Sequence, residues 1–149
     1  MGKKEKTQLR VVLDTNILVS ALIFGGNTAR VAELWKAGRI LPVISKETFS
    51  ELKAVLKYPK FKLTDSEIQM LVEDEILPFF EVAEISDYVS GICSDPDDDK
   101  FISCALLASA DYVVTGDRHL IDVGTHKTVK IIPASDLLNM FKLGEYDEQ

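Results

Sequence analysis

The stretch from residue 9 to residue 23 constrains the fold of this chain most, because its hydrophobic period changes in the middle. Residues 11–13 form a short apolar run rich in valine, as in a strand that is buried on both faces. Three polar residues follow, and the apolar residues then recur at helical spacing up to Leu22. The pattern predicts a strand, a tight turn and a helix, with Asp14 at the carboxyl end of a central strand, where open α/β sheets bind ligands. The alternative is that Asp14 or Asn16 only caps the helix.

The remaining chain alternates short apolar runs with helical patterns. The runs at 40–44, 80–85, 111–115 and 129–132 predict four further strands, and the helical patterns cover 29–37, 46–57, 64–77, 100–110 and 135–141. Strands that alternate with helices predict an α/β fold, in which a parallel sheet carries helices on both faces. We expect one domain over residues 9–142, with a disordered tail at 1–8 and a C-terminal tail at 143–149.

The charge and the apolar content of the chain limit the functions that it can have. With 17 Lys and Arg against 24 Asp and Glu, the net charge of −7 does not suit a protein that wraps nucleic acid by bulk positive charge, so any nucleic-acid contact needs cations. No apolar run approaches the roughly 20 residues of a membrane span, and no export signal follows residues 1–8. We therefore expect a cytoplasmic protein with no membrane partner, in which Cys93 and Cys104 are buried thiols rather than zinc ligands.

One acid of the predicted helix at 46–57 is placed to point along the carboxyl edge of the sheet. At 100° per residue, Glu51 lies at the edge of the apolar stripe beside Val55, whereas Glu47 lies farther round toward solvent. Glu51 is therefore a candidate site residue. The alternative, from spacing alone, is a surface glutamate that flanks the stripe.

Residues 95–99, Asp-Pro-Asp-Asp-Asp, put four carboxylates into five positions before a predicted helix. Each close pair costs on the order of 1 kcal/mol in water, and more where the carboxylates are partly buried. One or two acids are enough to cap a helix and to interact favourably with its dipole, so four favour a bound cation. Both Asp98 and Asp99 can join the inward stripe of this helix, and the spacing leaves the choice open.

The strand at 111–115 ends in Thr115-Gly-Asp117, which puts a hydroxyl and a carboxylate at the same edge of the sheet. The alternative here is an ordinary Gly-Asp turn. Each of the four acidic places is a weak signal alone, but together, on separate segments of one parallel sheet, they indicate a shared site. Carboxylates without a cluster of His or Cys are the ligands that Mg²⁺ and Mn²⁺ prefer.

Four pieces of the chain resemble the PIN-domain family, over about residues 9–142. They are Val-Val-Leu-Asp14-Thr-Asn16, Glu51 in the helix after Ile-Ser, Asp-Pro-Asp-Asp-Asp99-Lys-Phe-Ile and Val-Val-Thr115-Gly-Asp117. The chain is most similar to the branch that contains toxins of toxin–antitoxin systems. The resemblance implies a three-layer α/β/α fold with a mostly parallel five-stranded sheet, and a ribonuclease that depends on one or two Mg²⁺ or Mn²⁺ ions.

The resemblance also implies roles for individual residues. It makes an acidic quartet both catalytic and metal-binding, namely Asp14, Glu51, Asp99 and Asp117. Asn16 and Thr115 are then polar partners of these acids. The run at 95–99 is richer in acid than the family pattern needs, which keeps Asp98 as an alternative to Asp99.

The predicted function is an endoribonuclease that cleaves single-stranded RNA, acting as a toxin with an antitoxin protein as partner and forming a homodimer. Arg118, Lys100 and the basic residues 1–10 are candidates for phosphate contacts, with solvated surface charge as the alternative. Two rival functions are a non-catalytic PIN-fold binding or assembly module and a Mg²⁺-dependent phosphohydrolase. The phosphohydrolase would need a Lys or Thr after a strand, which only Thr115 loosely provides.

Overall fold

The computed structural model describes residues 8–85, 91–92 and 95–142. The predicted tails, apart from Gln8, and Cys93 lie outside the described residues. Within the described ranges no single helix is long and apolar enough to cross a membrane, and the segments Thr15–Phe24 and Asn27–Lys36, which reach that length only together, are bent by 94°.

The middle layer is a sheet whose strands lie in the order β3-β2-β1-β4-β6-β5, numbered along the chain. The strands are β1 (Leu9–Leu13), β2 (Ile40–Ser45), β3 (Glu81–Ala83), β4 (Tyr112–Val114), β5 (Thr125–His126) and β6 (Val129–Ile132). The prediction of a mostly parallel sheet is confirmed, because β3, β2, β1, β4 and β6 run parallel. The sheet has one more strand than expected: β5 pairs antiparallel with β6 at the edge, and two residues are too few to show a hydrophobic period.

Helices follow the strands as the alternating pattern predicts. In the described part of the chain they are α1 (Thr15–Val19), α2 (Asn27–Lys36), α3 (Lys46–Leu56), α4 (Asp65–Leu71), α5 (Asp99–Leu107), α6 (Arg118–Ile121) and α7 (Ala134–Lys142). The first and fourth continue as π-helical turns, Ser20–Phe24 and Val72–Ile76, and 3₁₀ turns occupy Pro59–Phe61 and Pro96–Asp98. Helix α3 begins where the sequence signals it, because the Ser45 hydroxyl accepts a hydrogen bond from the Thr48 N–H at 3.0 Å.

Side-chain alternation along β1 divides the core between the two faces of the sheet. Val11 and Leu13 pack in one cluster with Leu18 and Trp35 of the first two helical segments, whereas Val12 packs on the opposite face in the cluster that contains Ile102 of α5. Each such fully buried side chain stabilises the fold by about 1.5–3 kcal/mol. The three-layer arrangement is therefore confirmed, and it leaves the carboxyl ends of the central strands free to build a site.

Candidate active site

The segments that follow β1 and β4 lead into one open cavity of about 290 Å³. It is lined by four carboxylates from separate segments of the chain, which we call the acid floor: Asp14, Glu51, Asp98 and Asp117. The exposed Asp97 lines it as well. One side of its mouth carries two aromatic rings and a lysine, which we call the aromatic rim: Tyr58, Lys60 and Phe61. The exposed side chain of Asn16 also lines the cavity, so three sequence-predicted acids, the alternative acid Asp98 and one predicted polar partner share this place.

Asp14 is both a helix cap and part of the acid floor. Its side chain is 4% exposed, and Oδ1 accepts a hydrogen bond from the Ile17 N–H at 2.8 Å. Its other oxygen accepts a hydrogen bond from the Thr115 hydroxyl. Burial raises the pKa of Asp14 despite these two hydrogen bonds, and the neighbouring carboxylates of Asp117 and Glu51 act in the same direction. The two interpretations of Asp14 are therefore compatible, because one oxygen caps the helix while the whole carboxylate lies beside other acids.

Thr115 connects the ends of β1 and β4. It is fully buried, and its hydroxyl donates to Asp14 while accepting a hydrogen bond from the Asp117 N–H at 2.9 Å. Asp117 in turn caps α6 by accepting a hydrogen bond from the His119 N–H at 2.8 Å. Thr115 thus orients one acid through its side chain and fixes the backbone of another, as expected of a polar partner at this edge.

Glu51 faces the cavity from α3. Its Oε1 accepts a hydrogen bond from the Thr15 hydroxyl at 3.1 Å and lies 2.9 Å from the Lys100 ammonium. Glu47, one turn earlier on the same helix, is exposed and does not line the cavity. The helical phase deduced from the sequence therefore agrees with where these two glutamates lie.

The structure brings Asp98 into the cavity and leaves Asp99 outside it. Asp98 Oδ2 is buried and makes no hydrogen bond with a described residue. Burial, followed by the charges of Asp117 and Asp95, raises the pKa of Asp98 to about 6. Asp99 is also buried, but its Oδ2 accepts a hydrogen bond from the Gly91 N–H at 2.9 Å.

The physical reason for this division is the turn before α5. A 3₁₀ turn ends at Asp98 and α5 begins at Asp99, and successive residues of such helical turns point about 100–120° apart. Asp99 therefore points in a different direction from Asp98, away from the cavity that Asp97 and Asp98 line.

Lys100 is a cation built into the cavity. Its side chain is only 9% exposed, and its ammonium lies 2.9 Å from Glu51 Oε1 and 3.2 Å from Asp97 Oδ2. Burial lowers the pKa of Lys100, but the hydrogen bonds and charges of Glu51 and Asp97 outweigh this, so the pKa lies above its ordinary value. Lys100, one candidate for a phosphate contact, is thus already paired with two acids. Arg118, another candidate, is exposed and does not line the cavity.

The donor chemistry of the acid floor suits a hard cation, although its acids are not gathered tightly. Within residues 8–85, 91–92 and 95–142, no three His, Cys, Asp or Glu side chains lie close enough together to hold an ion as they stand. The buried, unpaired Oδ2 of Asp98 is the atom that a cation would satisfy, and the remaining donors are carboxylate oxygens. Oxygen-only donors fit Mg²⁺ or Mn²⁺ rather than zinc.

Sequence reasoning missed the aromatic rim. In the sequence, Tyr58-Pro59-Lys60 indicates only that the helix predicted at 46–57 ends there, because proline stops a helix. The signal that could have found the rim is the spacing itself: two aromatic residues three positions apart, interleaved with lysines, in Tyr-Pro-Lys-Phe-Lys.

The chain is similar to known proteins in sequence and in fold. The family model of the PIN domain matches residues 10–119, a range that contains all four residues of the acid floor. The chain is 31% identical over 128 residues to an uncharacterized protein of Methanocaldococcus jannaschii, which covers 83% of this chain and 80% of that protein. The crystal structure of FitAcB from Neisseria gonorrhoeae has a similar fold, with a TM-score of 0.58 at 18% identity over 84% of this chain and 98% of that chain.

Proposed function

Because the chain belongs to the PIN-domain family, whose members are in general nucleases, we propose that it is an endoribonuclease that uses Mg²⁺ or Mn²⁺ to hydrolyse single-stranded RNA. The observation that carries the proposal is the acid floor, where carboxylates from four segments share one cavity. Like charges in a partly desolvated place cost stability, as the raised pKa of Asp14 and of Asp98 indicates. A bound cation would offset this cost.

In this proposal Asp14, Glu51, Asp98 and Asp117 hold one or two ions. Asp98 replaces Asp99, the acid favoured by the family resemblance, because Asp98 lines the cavity and has an unpaired oxygen. When bound, the ion supplies a water of lowered pKa and stabilises the charge on the phosphate and the leaving oxygen.

The chain's own polar groups would position these acids. Thr115 orients Asp14, and Thr15 orients Glu51, each through a hydroxyl hydrogen bond. Lys100 neutralises part of the charge of Glu51 and Asp97, and it lies where it can meet a phosphate that enters the cavity. The bound ion and Lys100 together would then supply positive charge for the phosphate inside a protein of net charge −7.

We extend the proposal to the biological setting implied by the family branch. The chain is then the toxin of a toxin–antitoxin pair, acts in the cytoplasm as a homodimer and is inhibited by an antitoxin protein. Expression of the chain should arrest growth, and expression of Asp14→Asn should not. Co-expression of a small protein encoded beside the gene should relieve the arrest, and sedimentation should give twice the mass of one chain. Growth that is unaffected by the active chain would reject the toxin role, but it would not contradict the proposed nuclease activity.

One observation favours a second candidate, a non-catalytic PIN-fold binding module: no three acids among the described residues are gathered around one point. The deciding experiment incubates EDTA-dialysed protein with labelled single-stranded RNA and, separately, with p-nitrophenyl phosphate, each with and without Mn²⁺. We expect RNA cleavage that Mn²⁺ or Mg²⁺ restores and that Asp14→Asn abolishes. Cleavage of the small phosphate alone would favour a phosphohydrolase, RNA binding without cleavage would favour the module, and undiminished cleavage in EDTA would reject the metal-dependent mechanism.

A further inference from the structure

The aromatic rim is held in shape by a backbone turn. The Phe61 N–H donates to the Tyr58 carbonyl at 3.0 Å, closing the 3₁₀ turn that contains Pro59. Side chains three positions apart eclipse one another in a 3₁₀ turn. The Tyr58 and Phe61 rings are accordingly almost parallel, at 4°, with their centroids 6.5 Å apart. Lys62 ends the turn in the left-handed conformation, with φ of 54°.

The rim continues outward along a strip of exposed aromatic surface. Phe24, at the end of the π-helical turn after α1, is 65% exposed, and its ring centroid lies 5.8 Å from that of Phe61. Tyr58 is 50% exposed. A second cavity, of about 300 Å³, lies between Phe24, Phe61 and Lys60. It adjoins the cavity of the acid floor, because four residues line both: Asn16, Val19, Lys60 and Phe61. The exposed ring of Phe24 and the half-buried ring of Phe61 therefore lead from the second cavity toward the acid floor.

The same segment is basic, although the protein is acidic. Residues 52–64 contain four lysines and no Asp or Glu, in a chain of net charge −7. The Lys60 ammonium lies 5.3 Å from the centroid of the Phe61 ring and faces both cavities. Among the described residues, Lys57, Lys60 and Lys62 form no ion pair. Flat apolar rings with unpaired cations beside them suit a ligand that carries both π faces and negative charge.

We propose that Phe24, Tyr58 and Phe61, with Lys60, form a subsite on which unpaired bases of an RNA strand stack while the adjoining phosphate enters the acid floor. The inference rests on the proposed function, and it names the feature that selects single strands. Every base has a π face that an aromatic side chain can stack on, so the subsite needs no particular sequence. In a duplex those faces are already stacked on neighbouring bases, which leaves only the phosphate contacts.

The test measures binding of fluorescein-labelled RNA decamers by anisotropy, in Mg²⁺, with every protein in the Asp14→Asn background so that the strand is not cut. The probes are a single-stranded adenine decamer, the same decamer in a duplex, and a single strand that is abasic at its central positions. The variants are Phe24→Leu and Tyr58→Leu, which remove a ring and keep apolar bulk. Tyr58→Phe restores the ring, and Leu107→Ala is the control at a side chain 55% exposed outside both cavities.

We expect each ring-removing variant to bind the single-stranded decamer roughly ten-fold more weakly, with duplex affinity unchanged. Tyr58→Phe and Leu107→Ala should bind as the parent does. The abasic strand should bind the parent weakly and should show no further loss with Tyr58→Leu. Equal affinity of the parent and both leucine variants for the single strand would overturn the proposal, as would an equal loss for single strand and duplex.

The outcomes also separate this subsite from the nuclease itself. In the Asp14-containing protein, Tyr58→Leu should raise the KM for single-stranded RNA and leave kcat unchanged. Normal cleavage with no change in KM would contradict the proposed subsite and leave the proposed nuclease activity supported. RNA binding that depends on the rings, without cleavage in Mn²⁺, would support the proposed subsite and contradict the proposed nuclease activity. Unchanged RNA affinity combined with loss of a protein complex would assign the strip to protein docking and overturn the proposal.

Discussion

The acid floor and the aromatic rim share one cavity but are held in place by different forces. In the floor Asp14 is buried and receives a hydrogen bond from the buried Thr115 hydroxyl, whereas the other three carboxylates are half-buried. The rim consists of the exposed ring of Tyr58 and the half-buried ring of Phe61, which the backbone of a 3₁₀ turn holds almost parallel. The carboxylates of the floor therefore repel one another, and a bound cation can relieve that repulsion, whereas the rim contains no acids that repel one another. Changes in the floor should alter catalysis and stability together, and changes in the rim should alter affinity alone.

The largest effect is expected from Glu51→Gln, which should reduce RNA cleavage at least a hundred-fold, in the range seen when a group that stabilises the transition state is lost. Glu51 faces the cavity, and its charge is already paired with Lys100. Glu47→Gln, on the exposed face of the same helix, is the matched control and should cleave at the parental rate. Single-turnover rates of the two variants make the comparison, and equal effects would show that the phase of α3 does not decide function.

A comparable loss of the cleavage rate is expected from one of the two adjacent aspartates at the start of α5, Asp98, whereas substitution of Asp99 should lower stability instead. Asp98→Asn should abolish most cleavage and leave the protein folded. Asp99→Asn should keep its rate at low temperature but lose about 1 kcal/mol of stability, because it weakens the hydrogen bond from the Gly91 N–H to a buried charge. Cleavage rates and urea unfolding of both variants test this. A rate loss confined to Asp99→Asn would return the site to the assignment implied by the family resemblance.

A smaller effect is expected on the pH dependence of stability in EDTA. The pKa of Asp98 is about 6 in the folded protein, against about 3.9 in the unfolded chain, so the native state binds more protons between these values. Ionisation of Asp98 is therefore destabilising, and the free energy of unfolding should fall as pH rises from about 4.5 to 7.5. Because the carboxyl group is partly screened by solvent, we expect a contribution of only about 1 kcal/mol.

The measurement is urea unfolding at both pH values for the parent and for Asp98→Asn, which removes this titration and should flatten the decline. Asp74→Asn, at an exposed position in the π-helical turn after α4, is the control for general charge effects. A decline that is equally steep in Asp98→Asn would show that other groups govern the pH dependence.

The smallest effect is expected on stability when the exposed rings of the rim residue Tyr58 and of the neighbouring Phe24 are removed. Tyr58→Leu and Phe24→Leu replace exposed rings, so the free energy of unfolding should change by less than about 0.5 kcal/mol. Thermal melts of the two variants beside Asp98→Asn would check that the floor and the rim differ as described. A loss of several degrees from Tyr58→Leu would mean that the ring is part of the structural core.

Much of the fold was predictable because the elements that carry it have clear periods. The change of period between β1 and α1 placed Asp14 at the end of a central strand, and Ser45 marked the start of α3. The two-residue strand β5 and the four-residue helix α6 were missed, because two residues show no alternation and one turn of helix shows no helical period. The placement of Glu51 followed from helical geometry alone.

The rest of the site depends on contacts that no local pattern reports. The choice between Asp98 and Asp99 rests on the 3₁₀ turn at 96–98, which sets the rotation of α5. Lys100 looks like a surface lysine in the sequence, but the fold places it between Glu51 and Asp97. Tyr58 and Phe61 become a stacked pair only because the turn after α3 is 3₁₀ and lies at the mouth of the cavity.

The most direct test of a cation site in the acid floor is the melting temperature of the parent and of Asp14→Asn, each in EDTA and in millimolar Mg²⁺. Asparagine keeps the capping oxygen and removes one charge from a place where burial and neighbouring acids already raise the pKa of Asp14. Because a raised folded pKa means that the ionised group destabilises the native state at neutral pH, we expect Asp14→Asn to melt above the parent in EDTA. Mg²⁺ should reverse this order by stabilising only the intact site. A variant that melts below the parent in EDTA, with no response of either protein to Mg²⁺, would show that Asp14 is only a helix cap and would contradict the metal site.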